Sequence, residues 1–186
     1  KPERTSCCIL VDKEEVGSQG NTGMQSRFFE NAVAELISKT GAYDDMKLRL
    51  TLRNSRMLSS DVSAGFDPNY PGVFEPKNAA FLGRGLCFNK YTGSRGKSGC
   101  NDANAEFVAK VRDTMDKNDV DFQFAELGKV DQGGGGTIAY ILANLDMDVI
   151  DAGVAVLNMH ACYEIASKAD IYEAYRGYMA FLKDMK

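Results

Sequence analysis

The stretch VIDAGVAVL (149–157) is an almost unbroken apolar run in which valine predominates. Runs of this kind are typical of a strand whose two faces are both buried in a parallel sheet. We therefore predict that residues 149–157 form a central strand. Four further runs along the chain predict strands as well: 7–11, 56–62 (ending at Asp61), 86–92 and 121–127.

Helical patterns fill the intervals between these runs. Apolar residues repeat at helical spacing between Met24 and Ile37, and Gly41 closes this pattern. Further helices are predicted over 44–53, over 107–115 with Asn101 or Asp102 as the cap, after the glycines at 133–136, and over 170–182. Because strands alternate with helices, the sequence predicts an α/β fold, a three-layer α/β/α arrangement around a mostly parallel sheet.

Composition narrows the classes of function. The 186 residues, 44% of them hydrophobic, suit one domain with a substantial core. A net charge of -4 provides no basic surface for nucleic acid or for an anionic membrane, and no apolar run is long enough to predict a membrane span. The five cysteines include no CxxC pair, which argues against a disulfide framework and against a thiolate zinc site. We expect a reducing, cytoplasmic setting.

Polar side chains collect just past the predicted strands. Glu14 and Glu15 follow the first strand, and Asp61, Asp131 and His160 follow later ones. In open α/β sheets, ligands bind at the carboxyl ends of the strands. We therefore expect residues that are far apart in the sequence to converge on one crevice.

The residue types suggest a metal site. Glu15, Asp61 and His160 together make an O,O,N donor set that suits zinc or a similar divalent ion. Glu14, beside a ligand, is placed to take a proton from water. Each signal also has an ordinary structural alternative: a solvated loop for the two glutamates, a turn or helix cap for the aspartate, and a hydrogen-bonded core position for the histidine. The residues alone leave the two interpretations evenly balanced.

The four consecutive glycines at 133–136 also allow more than one interpretation. They lack the lysine of a P-loop and the spacing of a dinucleotide fingerprint, which argues against nucleotide binding. A loop that lines a substrate site and a flexible turn both remain open.

Five motifs, taken in order, resemble the aspartyl aminopeptidase/aminopeptidase I family of dinuclear zinc exopeptidases. They are VDKEEVGS (11–18), MLSSDVSAGFDPNY (57–70), NKYTGSRGKSG (89–99), DQGGGGTIA (131–139) and LNMHACYEI (157–165). The resemblance implies a zinc-exopeptidase-like fold and a metal-dependent aminopeptidase that cleaves the N-terminal residue of peptides. It also implies that Glu14 is the general base, that Glu15 and His160 bind one of two zinc ions, and that Asp61 binds the other.

Two ligands of the family, an early histidine and a bridging aspartate, have no counterpart here because both lie upstream of the paired glutamates. We therefore expect residues 1–186 to be the C-terminal portion of one catalytic domain. The upstream catalytic residues and a separate oligomerisation domain would belong to the remaining N-terminal part of the same enzyme, and the resemblance implies a homo-oligomer. A non-catalytic assembly subunit that keeps the fold without a full metal site is the alternative.

Substrate preference is the last expectation. The aspartyl-preferring branch of the family has histidines where this chain has Ala64 and Asp67. An acidic Asp67 near the pocket would repel an acidic side chain, so we expect neutral N-terminal residues to be preferred. Lys90, also expected near the pocket, would offset part of this repulsion.

Overall fold

A computed structural model describes residues 3–95, 97–129 and 131–185. Gly96, within the motif at 89–99, and Val130 lie outside them. In the described residues the helices are α1 (Phe28–Thr40), α2 (Asp45–Arg53), α3 (Ala105–Lys117), α4 (Ala139–Ala143) and α5 (Lys168–Asp184). The strands are β1 (Arg56–Ser59), β2 (Ser63–Ala64), β3 (Leu86–Asn89), β4 (Tyr91–Ser94), β5 (Ser98–Asp102), β6 (Phe122–Ala125), β7 (Asp148–Gly153), β8 (Ala155–Leu157) and β9 (Ile165–Ala166). Two short 3-10 helices cover Glu14–Val16 and Pro71–Val73.

The central sheet has the strand order β1-β7-β3-β6. β1 runs parallel to β7, β3 runs parallel to β6, and only the pairing of β3 with β7 is antiparallel. The prediction of a mixed α/β fold with a mostly parallel sheet is therefore confirmed.

Helices cover both faces of this sheet. Val149 and Ile150, neighbours on β7, point to opposite faces and belong to different hydrophobic clusters. The cluster beneath α3 and α5 contains Leu86, Phe88, Phe107, Val111, Met115, Ile150 and Ala174, among others. The cluster beneath α2 and α4 contains Met24, Leu52, Ile138, Ala139, Leu142, Met147 and Val149. Three layers result, as the alternation of strands and helices predicts.

The predicted central strand 149–157 is broken in two. β7 ends at Gly153, and β8 leaves the central sheet to pair with β2 and β9. A Cβ atom at Gly153 would lie 1.7 Å from the backbone oxygen of Asp61, so only glycine allows the chain after β1 to pass this closely. The predicted strand 86–92 is likewise divided, at Lys90, into β3 and β4.

The strand predicted at 7–11 is wrong. Residues 7–11 form no strand; the one pairing beside them within the described residues is a parallel bridge between Asp12 and Gly23, and Leu10 is 95% exposed. A strand exists only where a neighbouring strand pairs with it, and the described residues supply no such neighbour here.

Side-chain caps mark the start of α2 and α3. Asp44 accepts a hydrogen bond from the Lys47 N–H at the start of α2. The cap of α3 is Asn104, which accepts from the Phe107 N–H, and not Asn101 or Asp102. Those two residues pair with β4 as part of β5, so the cap falls on the first residue that is suited to it after the strand. No helix in the described part of the chain is long and apolar enough to cross a membrane.

Candidate metal centre

A tight turn presents the paired glutamates. Lys13 adopts a left-handed conformation with φ 68°, and Glu14–Val16 then form a single 3-10 turn that ends at Gly17. The Gly17 N–H donates to the Glu14 carbonyl at 3.0 Å. Glu14 is half-buried and Glu15 is exposed, so the two adjacent carboxylates meet different surroundings.

Asp61 follows β1 and lies near the paired glutamates. The strand ends at Ser59, two residues earlier than predicted, and Asp61 is half-buried in the turn that follows. Its Oδ1 accepts a hydrogen bond from the Val62 N–H at 2.8 Å. Burial raises the pKa of Asp61, and the hydrogen bond from Val62 opposes that rise.

His160 lies in the loop between β8 and β9 with φ 65°. Its side chain is 67% exposed, which excludes the alternative of a core histidine. Its Nδ1 lies 3.7 Å from Glu15 Oε2, so two of the predicted ligands are adjacent in space although they are far apart in the sequence.

Electrostatic coupling links all four residues. Burial raises the pKa of Glu14, the negative charges of Asp61 and Glu15 raise it further, and His160 lowers it. Glu15 raises the pKa of Asp61 in the same way, and His160 again opposes it. Three carboxylates that repel one another beside an imidazole would be stabilised by a bound cation.

The described residues fall short of a complete metal site. Among them, no three side chains of His, Cys, Asp or Glu stand close enough together to hold one ion. A catalytic zinc ion normally takes three protein ligands. The donor types therefore fit zinc, whereas their number in this arrangement requires ligands from elsewhere.

Asp151 lies beneath this site and is not among the residues predicted from the sequence. It is 1% exposed in the middle of β7, where its Oδ2 accepts from Thr92 Oγ1 at 3.1 Å and its Oδ1 completes no hydrogen bond. Burial raises the pKa of Asp151 to about 6. The negative charge of Asp61 raises this pKa as well, whereas the hydroxyls of Thr137, Ser59 and Thr92 lower it. The available signal was a single acid inside the apolar run 149–157.

The glycine run lines a cavity. The Gly93 N–H donates to the Gly135 carbonyl at 2.9 Å and the Arg95 N–H donates to the Gly133 carbonyl at 3.0 Å, so the run pairs with β4. The cavity has a volume of about 340 Å³. Its lining consists of Asn78, Tyr91, Thr92, Gly93, Glu126, Leu127, Gly128, Lys129, Asp131, Gly133 and Gly134.

Two of the predicted pocket residues lie apart from the four coupled groups. Asp131 lines the cavity of the glycine run. Lys90 forms an ion pair with Asp102 and lines a separate groove along α3. The ion pair with Asp102 therefore neutralises part of the positive charge that Lys90 was expected to place near Asp67.

Comparison with known proteins identifies the family. A sequence profile described as "Aminopeptidase I zinc metalloprotease (M18)" matches residues 1–182. A probable M18 family aminopeptidase 1 from Clostridium acetobutylicum is 67% identical over 98% of this chain and 39% of the relative.

Solved structures agree. A crystal structure of aminopeptidase I from Clostridium acetobutylicum matches 94% of this chain and 37% of its own with a TM-score of 0.84 and 67% identity. A crystal structure of an M18 family aminopeptidase from Thermotoga maritima matches 93% of this chain and 39% of its own chain, with a TM-score of 0.89 and 47% identity. The chain spans about two-fifths of the length of these relatives. Because the profile covers residues 1–182 and the fold matches solved members closely, the chain belongs to the aminopeptidase I family of zinc metalloproteases.

Proposed function

We propose that this chain supplies part of the active site of a zinc-dependent aminopeptidase that hydrolyses the N-terminal residue of peptides. The observation that carries the proposal is the shared electrostatic field of Glu14, Glu15, Asp61 and His160. These residues come from three separate segments, and titratable groups that perturb one another's pKa values cluster at functional sites.

Glu15 and His160 would hold one zinc ion and Asp61 the other. When bound, zinc polarises a scissile carbonyl and lowers the pKa of water toward about 7. The adjacent position of Glu15 and His160, 3.7 Å apart, supports their assignment to one ion. The assignment of Asp61 to the second ion rests on the family resemblance.

Glu14 is the proposed general base. It flanks a ligand, it is half-buried, and burial together with the charge of Asp61 raises its pKa above the ordinary glutamate value. A carboxylate with a raised pKa binds a proton more strongly, which suits a group that takes a proton from water and delivers it to the leaving amine.

The remaining ligands are proposed to come from the N-terminal part of the same enzyme. The chain spans about two-fifths of its relatives, and its described residues alone bring no three ligand groups together. Residues 1–186 would then be the C-terminal portion of one catalytic domain in a cytoplasmic homo-oligomer. The alternative of a non-catalytic assembly subunit is not favoured, because relatives as much as 67% identical are named aminopeptidases.

Neutral N-terminal residues are the proposed substrates. Ala64 offers no cation for an acidic side chain, and Asp67 adds a negative charge a few residues after the ligand Asp61. Lys90 is already paired with Asp102, so it offsets only part of this charge.

Replacing Glu14 by Gln in the complete enzyme tests the mechanism. The variant keeps the shape of the side chain but cannot take a proton, so kcat should fall by about 10² or more while two zinc ions remain bound. Glu35→Gln, on the exposed surface of α1, is the matched control and should leave kcat and zinc content unchanged. Wild-type turnover of Glu14→Gln at full zinc occupancy would remove Glu14 from the mechanism.

A further inference from the structure

His160 lies in a hairpin loop, residues 158–164, that connects β8 to β9. The flanking strands pair through Val156 with Ala166 and Leu157 with Ile165. Asn158 is therefore the first residue after the pairing ends, and Glu164 is the last residue before it begins.

The backbone of this loop adopts a left-handed conformation at two positions. Asn158 has φ 59° and His160 has φ 65°. Residues with a Cβ atom adopt such angles much less often than glycine, although asparagine and histidine do so more often than most, and local contacts favour them.

Burial does not supply those contacts. Residues 160–164 are exposed, and Tyr163 is 83% exposed. Hydrogen bonds supply them. The Ala161 N–H donates to the Asn158 carbonyl at 2.9 Å, and the His160 N–H donates to Glu164 Oε1 at 2.7 Å. The second bond reaches across the loop from Glu164, its last residue, so it constrains His160 directly.

We propose that Glu164 is a positioning residue for His160. Its carboxylate holds the backbone N–H of His160, and this contact keeps the imidazole beside Glu15, where Nδ1 lies 3.7 Å from Oε2. The inference rests on the proposed function, in which His160 and Glu15 hold one zinc ion. Glu164 acts through the histidine backbone and takes no part in the chemistry.

Three variants in the complete enzyme separate position from charge. Glu164→Gln keeps a side-chain oxygen of the same reach, Glu164→Asp keeps the charge but is one methylene shorter, and Glu164→Ala removes both. Glu35→Ala, on the exposed surface of α1, is the matched control. Zinc affinity is measured by competition with a chromophoric chelator, and hydrogen exchange of the His160 amide reports the loop contact independently of zinc.

The positioning role predicts that Glu164→Gln binds zinc within about threefold of the wild type, whereas Glu164→Ala and Glu164→Asp bind it about tenfold or more weakly. The His160 amide should exchange faster in the same two variants. Wild-type affinity and exchange in Glu164→Ala would overturn the inference. Rescue by Asp and not by Gln would also overturn it, because charge would then matter and reach would not.

His160→Ala distinguishes this inference from the proposed function. Loss of one zinc ion in His160→Ala with unchanged binding in Glu164→Ala would reject only the positioning role. Full zinc content in His160→Ala would reject His160 as a ligand, and with it any effect of Glu164 on zinc. The exchange of the His160 amide in the Glu164 variants would still decide whether Glu164 holds the loop.

Discussion

Replacing Asp151 by Asn should stabilise the protein at neutral pH. Asp151 is 1% exposed, its Oδ1 completes no hydrogen bond, and burial raises its pKa from 3.8 to about 6. The folded protein thus binds this proton more tightly than the unfolded chain does. The stabilisation from the protonated form is fully present below pH 3.8 and is lost as pH rises through about 6.

The magnitude follows from the shift. Roughly two pKa units correspond to about 3 kcal/mol of unfolding free energy lost between pH 4 and pH 7. Asparagine carries no charge, and its oxygen can still accept from Thr92 Oγ1. Its amide N–H₂ needs an acceptor, which Ser59 Oγ, without a completed hydrogen bond, can provide. Allowing about 1 kcal/mol for imperfect pairing of the new amide, the net gain at pH 7 is about 2 kcal/mol.

Urea unfolding followed by circular dichroism measures this gain, because the chain contains no tryptophan for fluorescence. Relative to wild type, Asp151→Asn should change from about 1 kcal/mol less stable at pH 4 to about 2 kcal/mol more stable at pH 7. Asp146→Asn is the control, since its side chain is 76% exposed and its left-handed φ of 69° suits asparagine. A difference that does not change with pH, or a variant less stable than wild type at pH 7, would refute the reasoning.

Three further predictions concern the metal site, the substrate and the isolated chain. Asp61→Ala or His160→Ala in the complete enzyme should each lose zinc together with activity, and two zinc ions per subunit in either variant by metal analysis would contradict that ligand's assignment. A panel of aminoacyl chromogenic substrates should show faster hydrolysis of leucine than of aspartate or glutamate, and a dominant acidic preference would reject the argument from Asp67. The 186 residues expressed alone should bind zinc weakly by calorimetric titration and show no peptidase activity, because their described residues bring no three ligands together. Tight binding of two zinc ions with robust activity would mean that other residues complete the site.

The sequence determined the local elements well where the deciding interactions are local. The helical pattern from Met24 to Gly41 predicted α1, which begins only at Phe28, and the pattern at 44–53 predicted α2, because periodicity acts within a few turns. The predicted strand at 7–11 failed for the opposite reason. Apolar residues permit a strand, but only a neighbouring strand creates one, and sequence pattern alone does not reveal the neighbour.

The same distinction applies to the site. Glu14, Glu15, Asp61 and His160 were identified one at a time by their positions after predicted strands and by family motifs. Only the tertiary structure placed them where their charges act on one another. His160 Nδ1 lies 3.7 Å from Glu15 Oε2, and burial and the charge of Asp61 raise the pKa of Glu14. The tertiary structure alone also placed Asp151 out of reach of water with one oxygen unpaired. Electrostatic interaction and desolvation depend on distances in space and on the exclusion of solvent, and a linear pattern of residues specifies neither until the sheet has been assembled.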